Sequence, residues 1–391
     1  MRKELQQGLF QLLRSALTGQ AELLPQSFCL AELKELVYRQ QIVPLVYYGA
    51  LNCGIDREDE TMCQMFRTLG KAISVSESQL LETQRLFAAF EREGIDYMPL
   101  KGLTMCARYP MEAMRTMSDV DVLIRVAQSA KIQPLMRKLG YRFVIESDHE
   151  CVWDLPTLHL ELHKRLVPSY NRDFYTYYGD GWNRLSRVGD TCRYAFTQED
   201  ELIYLFAHLA KHYRDGGIGV KHFIDLWVYR RSNPLLDEDY LLAELKKLQL
   251  DAFYRNVLST IAVWLEDAPE TDITRLITLF VLNSGAYGSA EAQLLSSAAK
   301  ISNGSAKKSR RIHLLQLLFW PYPQMCKKHP ILIKWPIFLP FLWVARGFSA
   351  LFKPGKTAKL RRELQTITPE SVDHYRMAMA AVGLHFPKGE A

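Results

Sequence analysis

Two short β-prone runs in an otherwise helical sequence constrain the fold of this chain most. The runs IDYMPLKG and VDVLI lie within residues 94–124, are bounded by Gly, Pro or Ser, and are separated by the helix-like run LTMCARY. Strands that alternate with a helix in this way are typical of an α/β unit. A helix pattern over 131–139 and β-prone runs over 141–145 and 158–166 follow. We therefore expect one sheet, built from residues 91–197.

Helical patterns flank the predicted sheet on both sides. Leucines recur at helical spacing near the N-terminus, and amphipathic helices occupy much of residues 199–282. We predict an α+β fold in which a small mixed sheet is embedded between N-terminal and C-terminal helical regions. The predicted regions are a helical region at 1–90, the α/β core at 91–197, a helical domain at 198–310, and a basic, aromatic helical segment at 311–391.

The composition narrows the class of protein. With 391 residues, 48% of them hydrophobic, the chain can bury more than one core, which excludes a wholly disordered protein. The net charge of +6 permits a polyanionic partner without requiring one. The seven cysteines include no C-x-x-C pair, and the polar N-terminus lacks the apolar stretch of a secretory signal. We expect a cytoplasmic protein without a disulfide framework or a zinc ribbon.

Asp119 and Asp121 form the first candidate site. Residues two apart on a strand point to the same face, so these carboxylates converge while Val120 and Val122 face the other side. Close like charges repel each other unless a cation lies between them, and carboxylate oxygens suit Mg²⁺ or Mn²⁺. The spacing therefore predicts a divalent-metal site.

A third carboxylate is expected from the run HLELH. Alternation along this predicted strand places His159, Glu161 and His163 on one face. Glu161 is the candidate, because a third carboxylate would complete the metal site or orient and deprotonate an attacking hydroxyl group.

Lys101 and Gly102 form a candidate phosphate loop. They end the first predicted strand and precede the helix-like run. A glycine lets a phosphate approach the backbone amides at a helix N-terminus, and the lysine can neutralise the phosphate charge. Arg115 lies four residues before Asp119, and its guanidinium can fork onto two phosphate oxygens. Ordinary surface charge is the alternative interpretation of both basic residues.

These motifs, in this order, resemble the nucleotidyltransferase superfamily of the DNA polymerase β type. The similarity is greatest to an uncharacterised bacterial branch, nucleotidyltransferase family 5. The match covers roughly residues 30–232. It follows the motifs of that branch in order: LKG, YP, R and SDxD, then ELH, then H, KH and D. The resemblance implies transfer of a nucleoside monophosphate (NMP) from a nucleoside triphosphate (NTP) to an acceptor hydroxyl, with release of pyrophosphate. It implies Mg²⁺ held by Asp119, Asp121 and Glu161, and it places Ser118 among the nucleotide-binding residues.

One departure from the superfamily limits what the resemblance implies. The wider superfamily usually has Gly-Ser where this chain has Lys101-Gly102. The details of triphosphate binding therefore do not carry over to this chain, and the donor and the acceptor remain open.

Histidines in the predicted helical domain offer a further polar face. His208, Lys211 and His212 lie on one helix face, and His222 and Asp225 lie on the next helix. Zinc binding is one interpretation, although the H-E-x-x-H pattern is absent. A second interpretation, which we favour, places Lys211 and His212 toward the phosphates or the acceptor. Hydrogen bonds between helices are the third.

Residues 312–352 mix Trp, Phe and Leu with Lys and Arg. Their longest uncharged run, 312–326, contains two prolines and is shorter than the roughly 20 apolar residues that span a bilayer. One interpretation is that these helices cap the helical domain. The other is peripheral contact with the inner face of a membrane, with tryptophans at the headgroup level and lysines on anionic lipid.

The leading hypothesis is therefore a Mg²⁺-dependent nucleotidyltransferase. One alternative has the same site transfer the γ-phosphoryl group. Another is a catalytically inert nucleotide-binding or membrane-surface adaptor protein. The first 300 residues carry no concentrated basic stripe, so we do not expect a nucleic-acid partner.

Overall fold

The protein has an α+β fold, as predicted, in which a mixed five-stranded sheet lies between helical regions. The structure is a computed structural model that describes residues 1–301, 319–320, 322–329, 331–352 and 365–386.

Four N-terminal helices precede the sheet within the described residues: α1 (Lys3–Thr18), α2 (Leu30–Arg39), α3 (Val43–Asn52) and α4 (Glu60–Glu93). Helix α1 buries a row of leucines at helical spacing, and α3 packs directly against that row. The two helices approach closely because α3 has a glycine at the contact: a Cβ atom at Gly49 would lie 1.9 Å from the carbonyl oxygen of Leu12.

Helix α4 has a clear capping signal at each end. The Asp59 carboxylate accepts hydrogen bonds from the backbone N–H groups of Thr61 and Met62, which would otherwise lack partners at the helix N-terminus. Gly94 ends the helix in the left-handed conformation, with φ 61°. The chain then turns directly into the sheet.

The sheet has the spatial order β1-β2-β5-β4-β3, and β2 and β5 are parallel while the other pairs are antiparallel. Its strands are β1 (Tyr97–Pro99), β2 (Val120–Ile124), β3 (Arg142–Glu146), β4 (Glu150–Leu155) and β5 (Leu158–His163). Helices α5 (Gly102–Cys106) and α6 (Ser129–Lys138) lie in its connections. The strands predicted near 141–145 and 158–166 are confirmed, whereas β4 was not predicted.

The second helical region follows a short helix, α7 (Arg172–Tyr178), and a two-stranded ribbon of β6 (Ser186–Arg187) and β7 (Tyr194–Ala195). Its helices are α8 (Gln198–Gly216), α9 (Val220–Ser232), α10 (Glu238–Lys247), α11 (Asp251–Leu265), α12 (Asp272–Ser284) and α13 (Ala290–Ile301). Further helices span Tyr322–Lys328, Ile331–Lys334, Leu339–Phe352 and Pro369–Ala381. In the part of the chain that the structure describes, no helix combines the length and the apolar character needed to cross a bilayer.

Strand β2 separates two apolar cores. Val120 and Val122 face a core built with the end of α4 and with α6. Leu123 belongs to a larger core that α1–α3 share with α8–α12. Because side chains alternate along a strand, Asp121 points to the same side as Leu123, toward the helices. The alternation thus brings the polar residues of β2 to the interface between sheet and helices.

Candidate active site

A cavity of about 640 Å³ opens between the sheet and helices α8 and α9, within the size range of small-molecule sites. All nine residues that the sequence analysis placed in the site line this cavity. They are Lys101, Gly102, Arg115, Ser118, Asp119, Asp121, Glu161, Lys211 and His212. The structure therefore brings together residues that are as many as 111 positions apart in the sequence.

Asp121 and Glu161 lie side by side because β2 and β5 pair in parallel with these two residues in register. Leu160 and Leu162, which flank Glu161 on β5, point to the opposite face, into the core beneath the sheet. Asp119 precedes β2 by one residue and is half-buried at the same cavity. Three carboxylates thus meet at one edge of the cavity.

The Asp121 carboxylate is buried and carries a positive partner on each oxygen. The imidazole Nε2 of His163 donates to Oδ1 at 2.7 Å, and the ammonium of Lys101 lies 3.1 Å from Oδ2. Burial alone would raise the pKa of Asp121, but Lys101 and the hydrogen bond from His163 outweigh burial and hold that pKa well below its usual range. Asp121 is therefore ionised at neutral pH.

His163 is the positive partner of Asp121. Strand alternation predicted that it shares a face with Glu161, but no role was assigned to it. Burial lowers its pKa, but hydrogen bonds to Asp121 and Glu161 outweigh burial and raise the pKa to about 8. His149, whose Nε2 lies 3.1 Å from His163 Nδ1, has its pKa lowered to about 3 by burial and by His163. His163 is therefore the protonated member of this pair at neutral pH.

Asp121 and Glu161 are close enough to share a divalent cation. Their carboxylate oxygens lie within 4.8 Å of each other, and Asp119 lines the same edge of the cavity. Burial raises the pKa of Asp119, and the neighbouring charge of Asp121 raises it further. Hard carboxylate oxygens are the donors that Mg²⁺ and Mn²⁺ prefer.

Lys101 adopts a backbone conformation that is uncommon for a residue with a side chain, with φ 32° and ψ −94°. The conformation directs its ammonium to Asp121 at the end of β1. A Cβ atom at the next residue, Gly102, would lie 3.0 Å from the sulfur of Met117, so little space exists there for a side chain. Helix α5 covers only part of the helix-like run LTMCARY, because it ends at Cys106 and has only five residues. Its dipole is correspondingly weak, and the lysine is the main positive charge of this loop.

Arg115 differs from its expected role. Its guanidinium forks onto the carboxylate of Asp225 on α9, with N···O distances of 2.9 and 2.8 Å, and the Tyr109 hydroxyl donates to the same carboxylate at 2.7 Å. Both charged side chains are more than nine-tenths buried. Arg115 is thus paired with protein rather than free to fork onto phosphate, and Asp225 is its partner rather than a zinc ligand. Local sequence could not show this pair because it joins residues 110 positions apart.

Ser118, Lys211 and His212 lie on the remaining sides of the cavity. The Tyr287 hydroxyl donates to Ser118 Oγ at 2.7 Å. Burial lowers the pKa of Lys211 and lowers that of His212 to about 3, so His212 is a neutral imidazole at physiological pH. Its ring lies next to that of His208, with centroids 4.4 Å apart and the ring planes tilted by 57°. These residues surround the open space with polar groups that carry no negative charge. The negative charge of the cavity lies at the edge formed by the three carboxylates.

The cavity is also lined by three residues that the sequence did not indicate: His149, Glu150 and Lys221. Glu150 begins β4 and His149 immediately precedes it, so both could be placed only once that strand was recognised. The run ECVWDL carries the β-branched and aromatic residues that favour a strand, so the signal was present. Lys221 is a buried lysine on α9 whose ammonium donates to the Thr116 carbonyl at 3.2 Å.

The class of this protein follows from its sequence family. A family model described as an uncharacterised nucleotidyltransferase matches residues 29–266, more than half of the chain, and the protein belongs to that family. The resemblance inferred from the motifs is thereby confirmed. A solved structure that is similar to this chain is that of the antibiotic-resistance factor ANT(2'')-Ia, with 13% sequence identity, a TM-score of 0.33, and coverage of 49% of this chain and 99% of that one. No curated protein matches the sequence.

Proposed function

We propose that this protein transfers an NMP group from an NTP to an acceptor hydroxyl and releases pyrophosphate. The observation that carries the proposal is the in-register pairing of Asp121 and Glu161 on parallel strands, with Asp119 beside them and Lys101 on the Asp121 carboxylate. Membership of the nucleotidyltransferase family supports the reaction class.

In the proposal, Asp119, Asp121 and Glu161 hold Mg²⁺ or Mn²⁺. Such an ion neutralises charge on the triphosphate and on the transferring phosphoryl group. Lys101 supplies the positive charge of the phosphate loop, and Gly102 keeps that loop free of a side chain. Glu161, which is more exposed than Asp121, would orient the acceptor hydroxyl and accept its proton.

Residues on the helices complete the proposed substrate site. Lys211 lies on α8 across the cavity from the carboxylates, where an ammonium would attract the triphosphate or an anionic acceptor. Neutral His212 and the hydroxyl of Ser118 can donate hydrogen bonds without adding net charge. Arg115 contributes indirectly, because its pairing with Asp225 anchors the segment before β2 to helix α9.

Labelled nucleotides test the proposal and separate it from phosphoryl transfer by the same site. The protein is incubated with Mg²⁺ or Mn²⁺ and a panel of NTPs that carry the label on either the α- or the γ-phosphate, together with candidate hydroxyl acceptors. NMP transfer moves the α-label to the acceptor and releases the γ-label in pyrophosphate. Transfer of the γ-label to the acceptor would establish a phosphotransferase instead. Nucleotide binding that needs no metal and leads to no product would support the inert adaptor.

Lys221 is predicted to set an alkaline limit on activity. Burial and the charge of Arg115 lower its pKa to about 8, so its ammonium is present below that pH and lost above it. If the ammonium attracts the triphosphate, kcat/KM for the NTP should fall about tenfold per pH unit above about pH 8. In the Lys221→Arg variant the guanidinium stays charged, and the decline that Lys221 causes should disappear from the pH profile. Identical alkaline limbs in both proteins would contradict the assignment.

We also propose peripheral membrane contact through the C-terminal segment, because large apolar side chains are exposed there. Trp335, Ile337, Phe341 and Val344 are 59–73% exposed, and the exposed Lys334 lies beside them. Aromatic residues beside lysines are typical of segments at an anionic lipid surface, where each basic side chain contributes about 1 kcal/mol. Residues 312–318, 321 and 330 of the predicted segment lie outside the described residues.

Vesicle sedimentation of the full chain tests this contact. The protein should pellet with vesicles that contain anionic lipid and much less with neutral vesicles. The double substitution Ile337→Glu and Phe341→Glu should lower the bound fraction at least about tenfold, since it puts carboxylates at the anionic surface. Leu235→Glu is the matched control, because Leu235 is 91% exposed but lies in the loop between α9 and α10. Equal binding of the double variant and the control would remove the lipid role.

A further inference from the structure

His149, Glu150 and His163 form a cluster beside the three carboxylates that the proposed reaction does not use. We propose that this cluster is a second metal site, selective for a borderline divalent ion such as Zn²⁺. The ligand atoms are His149 Nε2, His163 Nδ1 and Glu150 Oε2, which all lie within 4.8 Å of one another. The inference concerns metal binding by the free protein and does not depend on the proposed transfer reaction.

The distances suit one small ion. His149 Nε2 lies 3.1 Å from His163 Nδ1, and Glu150 Oε2 lies 4.0 Å from each nitrogen. Ligand atoms of a tetrahedral zinc ion are roughly 3.3 Å apart, given Zn–N bonds of about 2.0–2.1 Å. The two nitrogens are therefore already spaced as ligands. A small rotation of the partly exposed Glu150 side chain would bring its oxygen to the same distance.

The surroundings of His163 support the assignment. The ring nitrogen that faces away from the cluster, Nε2, donates to Asp121 Oδ1 at 2.7 Å. A histidine ligand commonly donates its other ring N–H to a carboxylate, which fixes the ring and makes the ligating nitrogen more basic. The 3.1 Å separation of His149 Nε2 and His163 Nδ1 is that of a hydrogen bond, with one proton between the two nitrogens. A metal ion would take the place of that proton.

The two neighbouring sites differ in the ions that they prefer. The site at Asp119, Asp121 and Glu161 offers carboxylate oxygens, which suit Mg²⁺ or Mn²⁺. Two imidazoles and one carboxylate suit Zn²⁺ and similar ions. Since all three residues of the second site line the cavity, the remaining coordination position would face the open space. That position could accept a hydroxyl or phosphate oxygen, as is typical of zinc sites with three protein ligands.

Cobalt binding tests the inference. The full-length protein is freed of metal with a chelator and titrated with Co²⁺, whose visible absorption reports tetrahedral coordination. We expect one site whose absorption is displaced by Zn²⁺ and survives an excess of Mg²⁺. His149→Ala and the conservative Glu150→Gln should each weaken Co²⁺ binding by more than the roughly 10- to 100-fold that loss of an outer hydrogen-bond partner costs.

Two variants serve as matched controls. His159→Ala removes an exposed histidine from the same face of β5, and Asp119→Asn removes a carboxylate of the neighbouring site. Both should bind Co²⁺ like the wild type, and circular dichroism confirms the fold of each protein. Absence of the absorption band from the wild type would overturn the inference. So would a band that persists unchanged in folded Glu150→Gln and His149→Ala.

Discussion

Replacing Asp121 by asparagine is expected to lower NMP transfer by about 10³-fold or more. The substitution keeps the shape of the side chain and removes the charge that holds Lys101 and His163 and, in the proposal, the metal ion. Loss of one charged group that stabilises a phosphoryl-transfer transition state has effects of about 10³- to 10⁵-fold. The rate of product formation from α-labelled NTP, measured at saturating metal, gives the size of the loss.

The matched control is Asp154→Asn on β4. Asp154 also carries two basic partners, Arg142 and His159, but it lies on the exposed part of the sheet. Its substitution should leave the transfer rate within about twofold, since exposed ion pairs contribute little. If the Asp121 variant retained a tenth or more of wild-type activity, the three-carboxylate mechanism would have to be abandoned.

The second large effect is expected on stability. Asp225→Asn should lower the free energy of unfolding by about 3–5 kcal/mol, because it leaves the guanidinium of Arg115 buried without its countercharge. Urea denaturation measures the change. The double substitution Arg115→Met and Asp225→Leu should recover much of the loss, since it removes both buried charges together. A single variant within 1 kcal/mol of wild type would contradict the role of this pair.

The pH dependence of stability provides an independent check on the same pair. Burial raises the pKa of Asp225, but Arg115 outweighs burial and lowers the pKa below its usual value. The unfolded chain therefore binds a proton more readily than the folded chain as the pH falls. The contribution of Asp225 to stability is present above the ordinary carboxyl pKa and is lost on acidification. The Asp225→Asn variant should lack this part of the acid destabilisation.

The sequence predicted the site residues better than their contacts. Alternation along two strands was enough to place Asp119, Asp121 and Glu161 on polar faces, because the period of a strand is a local property. The register that sets Asp121 against Glu161 was not predictable, since the pairing of β2 with β5 depends on the whole sheet. Arg115 shows the same limit. Its sequence neighbours suggested phosphate binding, whereas tertiary packing gave it Asp225 as a partner.

Strand β4 explains why part of the cavity was overlooked. No secondary structure was predicted between the strands at 141–145 and 158–166. His149 and Glu150 therefore had no predicted position relative to the carboxylates. In the structure β4 pairs along the full length of β5, and Glu150 lies opposite His163. The candidate second metal site thus depends on one antiparallel register that no local pattern specifies.

The close contact between α1 and α3 affects how this enzyme can be shortened. The family match begins at residue 29, beyond the end of α1. A fragment that starts there would uncover Gly49 and the apolar surface of α3 against which α1 packs. Such a surface promotes aggregation in solution. The smallest fragment suitable for expression or crystallisation should therefore retain the residues before the match, even though no candidate site residue lies among them.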